Sequence, residues 1–262
     1  MVSPWVTAAF LIAFAATTLL PIVLLIVLCV KKKLSAVPVL FGFGTFMLSQ
    51  MVLRMPLLNL LSAQSWFQRF AADAPYWYLL VLAFSAGLFE ESFRLGGAVL
   101  LRQRRTFRDA VSFGLGHGLC EVVLLTGLTQ FNNALLSLLL AGGGVDALAG
   151  LMPAAQAQAL AAQLAAVAPL DVFAGLVERV SAVLYHVFAA VLIVKGVAAA
   201  KGLRYTLLAI GAHTVFNLAG VLIGQFAGVW PSEAVLLALA LLGGWYLLRQ
   251  RAWFAERAKP VC

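Results

Sequence analysis

Long apolar runs separated by short polar segments dominate the chain. The runs cover about residues 5–30, 37–61, 76–101, 110–140, 172–194, 203–225 and 232–248. A helix crossing the hydrocarbon core needs roughly 20 residues, so the pattern predicts seven spans. Residues 141–171, between the fourth and fifth runs, read "AGGGVDALAGLMPAAQAQALAAQLAAVAPLD". This stretch is rich in small residues, bounded by Gly and Pro, and carries Gln. It is expected to be an extracytoplasmic loop with a short amphipathic helix. The fold class expected is all-α: a polytopic transmembrane helical bundle forming a single membrane domain over 1–262. No repeated halves and no broken-helix pair are apparent.

Composition supports this reading. The chain is 63% hydrophobic and 11% charged, with a mean hydropathy of +1.01, where a soluble protein carries about 25% charged residues. The formal charge of +8 does not point to nucleic acid, because the basic residues form short clusters between apolar runs. Lys31, Lys32 and Lys33 follow the first run. Arg102, Arg104, Arg105 and Arg108 follow the third, Lys195, Lys201 and Arg204 the fifth, and Arg249, Arg251, Arg257 and Lys259 the seventh. Thus 14 of the 18 basic residues fall on one side, and the opposite loops hold only Arg69. The positive-inside rule then predicts an outside N-terminus and a cytoplasmic C-terminus. Arg54, toward the outer end of the second run, is expected to snorkel.

The N-terminus lacks a basic n-region, and its apolar run is too long for a signal peptide. A membrane anchor is expected instead. Cys29, Cys120 and Cys262 are odd in number and form no CxxC. They support neither a disulfide framework nor a thiolate metal site, and "PVC" at the chain end is not a prenylation box.

Ionisable groups inside four of the runs are the anomaly. The third run has Glu90, Glu91 and Arg94, and the fourth has His117 and Glu121. The fifth has Glu178, Arg179 and His186, and the sixth has His213 and Asn217. Such groups cost about 2.5–3.5 kcal/mol each at mid-bilayer by insertion scales. Counted at helical rise from the cytoplasmic ends, Glu90, His117, His186 and His213 lie at about 16, 10, 13 and 15 Å. Independent accidents would scatter, whereas a shared site in the cytoplasmic half places them in one layer. Glu178, at about 25 Å, lies outside that layer and is expected to form a structural ion pair with Arg179.

Residues four apart share a helix face. Glu90 and Arg94, His117 and Glu121, and His213 and Asn217 are such pairs. Four glutamates and two arginines leave a buried surplus of negative charge, to be offset by protonation or by a divalent cation. Gly114 and Gly118 in "GLGHG" form a GxxxG pattern of close helix approach, not a nucleotide loop.

"EESFR", "FGLGH" followed by Glu121, "ERVSAVLYH" and "HTVFN", in this order, resemble the YhfC family of intramembrane metalloproteases. That family resembles a branch of the CAAX prenyl protease and bacteriocin-processing (CPBP) superfamily. The resemblance runs from about Glu90 to Asn217 and implies a catalytic core over about 76–225. It implies a hydrolase in which Glu90 activates water with His117, while His213 and Asn217 stabilise the oxyanion. Glu91, Arg94, Glu121, His186, Glu178 and Arg179 are supporting residues. "EESFR" is one residue shorter than the superfamily's EExxxR, which puts the role of Arg94 in doubt.

Amide hydrolysis needs a water nucleophile, a base and oxyanion donors, and this residue set can supply them. HExxH is absent. His117, His186, His213 and Glu90 are candidate ligands for zinc or another divalent cation. A metalloprotease and a glutamate-activated water both remain open. The expected partners are membrane lipids and a peptide, prenylated or membrane-protein substrate, and nucleic acid is not expected. The family implies a prokaryotic cytoplasmic (inner) membrane. The alternative is a proton- or ion-coupled transporter, since buried Glu and His also build proton relays.

Overall fold

A computed structural model describes residues 2–101, 104–148 and 150–257. Arg102, Lys259 and Cys262 lie outside the described residues. The described residues form helices and no strands. These are α1 (Pro4–Val30), α2 (Ala36–Ser62), α3 (Ser65–Asp73), α4 (Pro75–Leu100), α5 (Phe107–Leu148), α6 (Ala154–Ala165), α7 (Pro169–Ala198), α8 (Gly202–Ala227) and α9 (Val229–Arg257). Six of them are long and apolar enough to cross a membrane, and α4 taken with α3 makes a seventh. Their outward faces carry large apolar side chains such as Leu40, Leu60, Leu203, Phe226 and Leu248, each more than 60% exposed. Water would not tolerate so much exposed hydrocarbon, and lipid does. The chain is a multi-pass membrane protein.

Two local features depart from uniform helix. Helices α3 and α4 form a bent pair at 114°, where the sequence showed no broken helix. Pro75 opens α4 and disfavours helical geometry at Ala74, which sits at φ −137° and ψ 59°. Widened π-helical turns occur at Ala15–Leu19, Met47–Arg54 and Val122–Gly127. The first two run into Pro21 and Pro56, whose nitrogens have no hydrogen to donate to the preceding turn. At the second, Met55 N–H donates to the carbonyl of Gln50, five residues back.

The chain packs as two compact units: Met1–Ile26 with Glu121–Arg179, and Val27–Cys120 with Val180–Cys262. The first has a core that includes Val6, Phe10, Ala134, Leu148, Leu164 and Val172. Its α6 falls inside the 141–171 segment and buries Ala157 and Leu164. The second is built around Phe113, Tyr185, Val191, Ile193, Phe216 and Leu247. Cys29 and Cys120 form no disulfide among the described residues.

Candidate active site

Glycine crossings assemble the second unit. A Cβ on Gly42 would lie 2.1 Å from the carbonyl oxygen of Phe113, and one on Gly116 would lie 2.1 Å from that of Val39. Only bare backbones can cross this closely. The contact brings Thr45 of α2 beside His117 of α5. Gly114 faces Val187 Cα at 2.5 Å from its would-be Cβ, and so sets α7 and His186 against α5. The Gly114/Gly118 pattern thus marks close approach, as its spacing predicted. Gly87 does the same for α4 and α8, with a would-be Cβ 3.1 Å from that of His213.

These crossings gather Glu90, Glu91, Arg94, His117, His186 and His213, all at most 4% exposed. His117 Nε2 lies 3.0 Å from Glu90 Oε2. His186 Nδ1 is 3.9 Å from the same oxygen, and His213 Nε2 is 4.0 Å from Glu90 Oε1. Four helix-borne groups predicted to share one layer therefore meet around one carboxylate.

The two adjacent glutamates have different partners. Arg94 pairs with Glu91, three residues back, rather than with Glu90, its same-face neighbour in the sequence pattern. The other Glu91 oxygen accepts from His213 Nδ1 at 2.9 Å. Glu90 is bonded by an amide, not by the Arg94 guanidinium. It accepts instead from Gln50 Nε2 at 2.6 Å, and Gln50 Oε1 accepts from Arg54 Nη1 at 3.0 Å. Arg54 also donates to Ser85 Oγ and to the Leu82 carbonyl. It does not snorkel outward as expected, because these three acceptors hold it inward. Arg54 also changes the charge balance: with it counted, this network holds two guanidiniums and two carboxylates.

The hydrogen bonds assign the histidine tautomers. Thr45 Oγ1 donates to the Gly42 carbonyl at 2.8 Å. It can therefore only accept from His117 Nδ1, 3.0 Å away, so the neutral ring carries its proton there. A bare Nε2 lone pair is left facing the Glu90 carboxylate. His213, with its Nδ1 proton given to Glu91, also turns Nε2 toward Glu90. His186 differs, because its Nδ1 accepts from Arg94 Nη2 at 2.9 Å.

Lone pairs aimed at a carboxylate repel unless a proton or a cation lies between them. Glu90, His117 and His186 each offer a ligand atom, all within 4.8 Å of one another. Oxygen and imidazole donors suit zinc, and the hydrogen bond from Nδ1 to Thr45 is the usual outer support of a ligating histidine. The donor set fits a divalent cation. His186 joins it through Nδ1 only by giving up Arg94.

Glu121, Glu178 and Arg179 form an ion-pair network of their own. Arg179 bridges Glu121 at 2.9 Å and also pairs with Glu178. This network belongs to the first unit. Asn217 is half-buried, and no hydrogen bond joins it to the cluster among the described residues. Thr45, Gln50 and Arg54 were missed as site residues. Gln50 and Arg54, four apart in an apolar run, carry the same face signal as the other pairs.

The fold and these residues define a class: a helical membrane protein with a buried carboxylate–histidine site. The chain belongs to the YhfC intramembrane metalloprotease family, whose model matches residues 16–237. A relative from Bacillus subtilis (strain 168), named "Uncharacterized membrane protein YhfC", is 26% identical over 196 residues, covering 70% of this chain and 72% of its own. No solved structure matches.

Proposed function

We propose that the protein is an intramembrane endopeptidase cutting a membrane-associated or lipid-modified protein. The observation that carries this reading is the Glu90–His117 pair, buried and held from both sides. Gln50 orients one Glu90 oxygen, and Thr45 orients the His117 ring. Glu90 is then the base that takes a proton from water, and His117 shares that water. Glu91 neutralises Arg94 and stays out of the chemistry. His213 donates from Nε2 to the oxyanion when it is an imidazolium, with Glu91 balancing its charge. Asn217, four residues on, is the second donor. The resemblance to CAAX and bacteriocin-processing proteases supports the same assignment.

A divalent cation, zinc by donor type, would be held by Glu90 and His117 with His186 or His213. It would supply Lewis acidity and a more acidic bound water. The basic clusters support an outside N-terminus, a cytoplasmic C-terminus and a prokaryotic inner membrane. Membrane lipids and a peptide, prenylated or membrane-protein substrate are the expected partners, and nucleic acid is not expected, because the basic residues form short clusters between spans.

The test is metal content and peptide cleavage in the purified protein, with Glu90→Gln and His117→Ala. Stoichiometric zinc lost in His117→Ala makes the enzyme a metalloprotease. Metal-free cleavage that stops in Glu90→Gln makes it a glutamate-type protease. Substrate flux in liposomes abolished by Glu90→Gln, with no cleavage, would replace both with a transporter.

A further inference from the structure

A cavity of about 440 Å³ opens in the second unit where the turn after α1, the start of α5 and the end of α9 meet. Three cations from these separate segments line it: Lys33, Arg108 and Arg251. No carboxylate lines it among the described residues. Two carboxylates adjoin the lining in sequence: Glu256, exposed near the end of α9, and Asp109, which is committed to a reciprocal helix cap. It accepts from Thr106 N and Oγ1 at 3.1 and 2.7 Å, and its own N–H donates to Thr106 Oγ1 at 3.1 Å. Arg108 Nη1 donates to the Lys32 carbonyl at 3.3 Å and ties two of the segments together.

Beneath the cations the lining is apolar. Leu34 and Phe254 are buried, and the rings of Phe107 and Phe254 lie 5.8 Å apart. Three like charges held over hydrocarbon repel one another until an anion joins them. Lys33 lies in the connection after α1, Arg108 in the first turn of α5 and Arg251 within two turns of the end of α9, the ends of candidate spans, where basic residues meet headgroups.

We propose that this cavity binds the phosphate group of an anionic phospholipid, with the acyl chain lying against the apolar floor. Basic pockets between helix ends are recognised headgroup sites. A free phosphate shares the charge chemistry but has no use for the floor. The assignment stands independently of the protease reading.

Native mass spectrometry of the full-length protein tests it. Phosphatidylglycerol is compared with phosphatidylcholine of the same chains, and inorganic phosphate serves as competitor. Phosphatidylglycerol is expected to stay bound where phosphatidylcholine dissociates. Lys33→Gln with Arg251→Gln should weaken it about 30-fold, from the usual contribution of two surface cations. Lys201→Gln with Arg204→Gln removes the same charge outside the cavity and should weaken it less than about threefold on that basis. Equal weakening by both pairs, or equal binding of the two lipids, overturns the proposal. Displacement by phosphate at concentrations comparable to the lipid's overturns the lipid as source. Should the Lys33/Arg251 variant melt early in phosphatidylcholine, the lipid and phosphate comparisons on the unaltered protein still decide.

Discussion

Gln50 Nε2 donates to Glu90 Oε1 at 2.6 Å, and Arg54 holds the Gln50 amide from behind at 3.0 Å. The π-helical turn of α2 presents both residues to α4. Gln50 is therefore a positioning residue for the proposed base. Gln50→Leu should lower kcat about 10–100-fold, the usual effect of losing an outer-shell partner, with little change in KM. Gln50→Glu would place a second carboxylate against Glu90 and should shift the pH profile of kcat/KM as well. A profile and kcat unchanged in both variants would reduce Gln50 to packing.

The Glu91–Arg94 pair is wholly buried. Removing one partner leaves an uncompensated charge, at about 3–5 kcal/mol. Glu91→Gln and Arg94→Met should each lower the melting temperature sharply in detergent. The double variant should be less destabilised than the sum of the two, since neither charge is stranded. Strict additivity in that cycle would mean that the pair does not act as one unit.

Thr45 and Gly42 lie on one turn of α2, and each governs His117 differently. Thr45→Val keeps the shape but removes the acceptor for His117 Nδ1, so zinc affinity should fall about 10–100-fold while the fold is retained. Gly42→Val places side-chain carbon on the Phe113 carbonyl and the His117 nitrogen and should lose folded protein altogether, because the atoms it meets belong to backbone and cannot step aside. Zinc titration and thermal melting of the two variants separate the effects. Equal loss of stability in both would overturn the division.

Much was legible in the chain. Hydropathy over about 20 residues gives a transmembrane helix almost directly, because a helix satisfies its own backbone within the bilayer. The layer of Glu90, His117, His186 and His213 was readable for a related reason. Helical rise is fixed, so sequence distance from a span's end measures depth. The close crossing at Gly114 was readable as well, since only small residues permit it.

Other features were decided by tertiary structure. Which glutamate meets Arg94 depends on helix rotation and rotamer, and Glu91 won because His213 of α8 also comes to it. Arg54 was read as an outward lysine-like tail, yet α4 offers it Ser85 and the Leu82 carbonyl. Glu121 shares a face with His117 by spacing, yet Arg179 of the first unit holds it. Sequence fixes distances along one helix, whereas partners come from other helices, and only their packing decides which polar group satisfies which. The sequence by itself therefore determined the candidate spans, the gathering of Glu90, His117, His186 and His213, and the glycine contact at Gly114. Packing alone decided the pairings and tautomers from which the proposed chemistry follows.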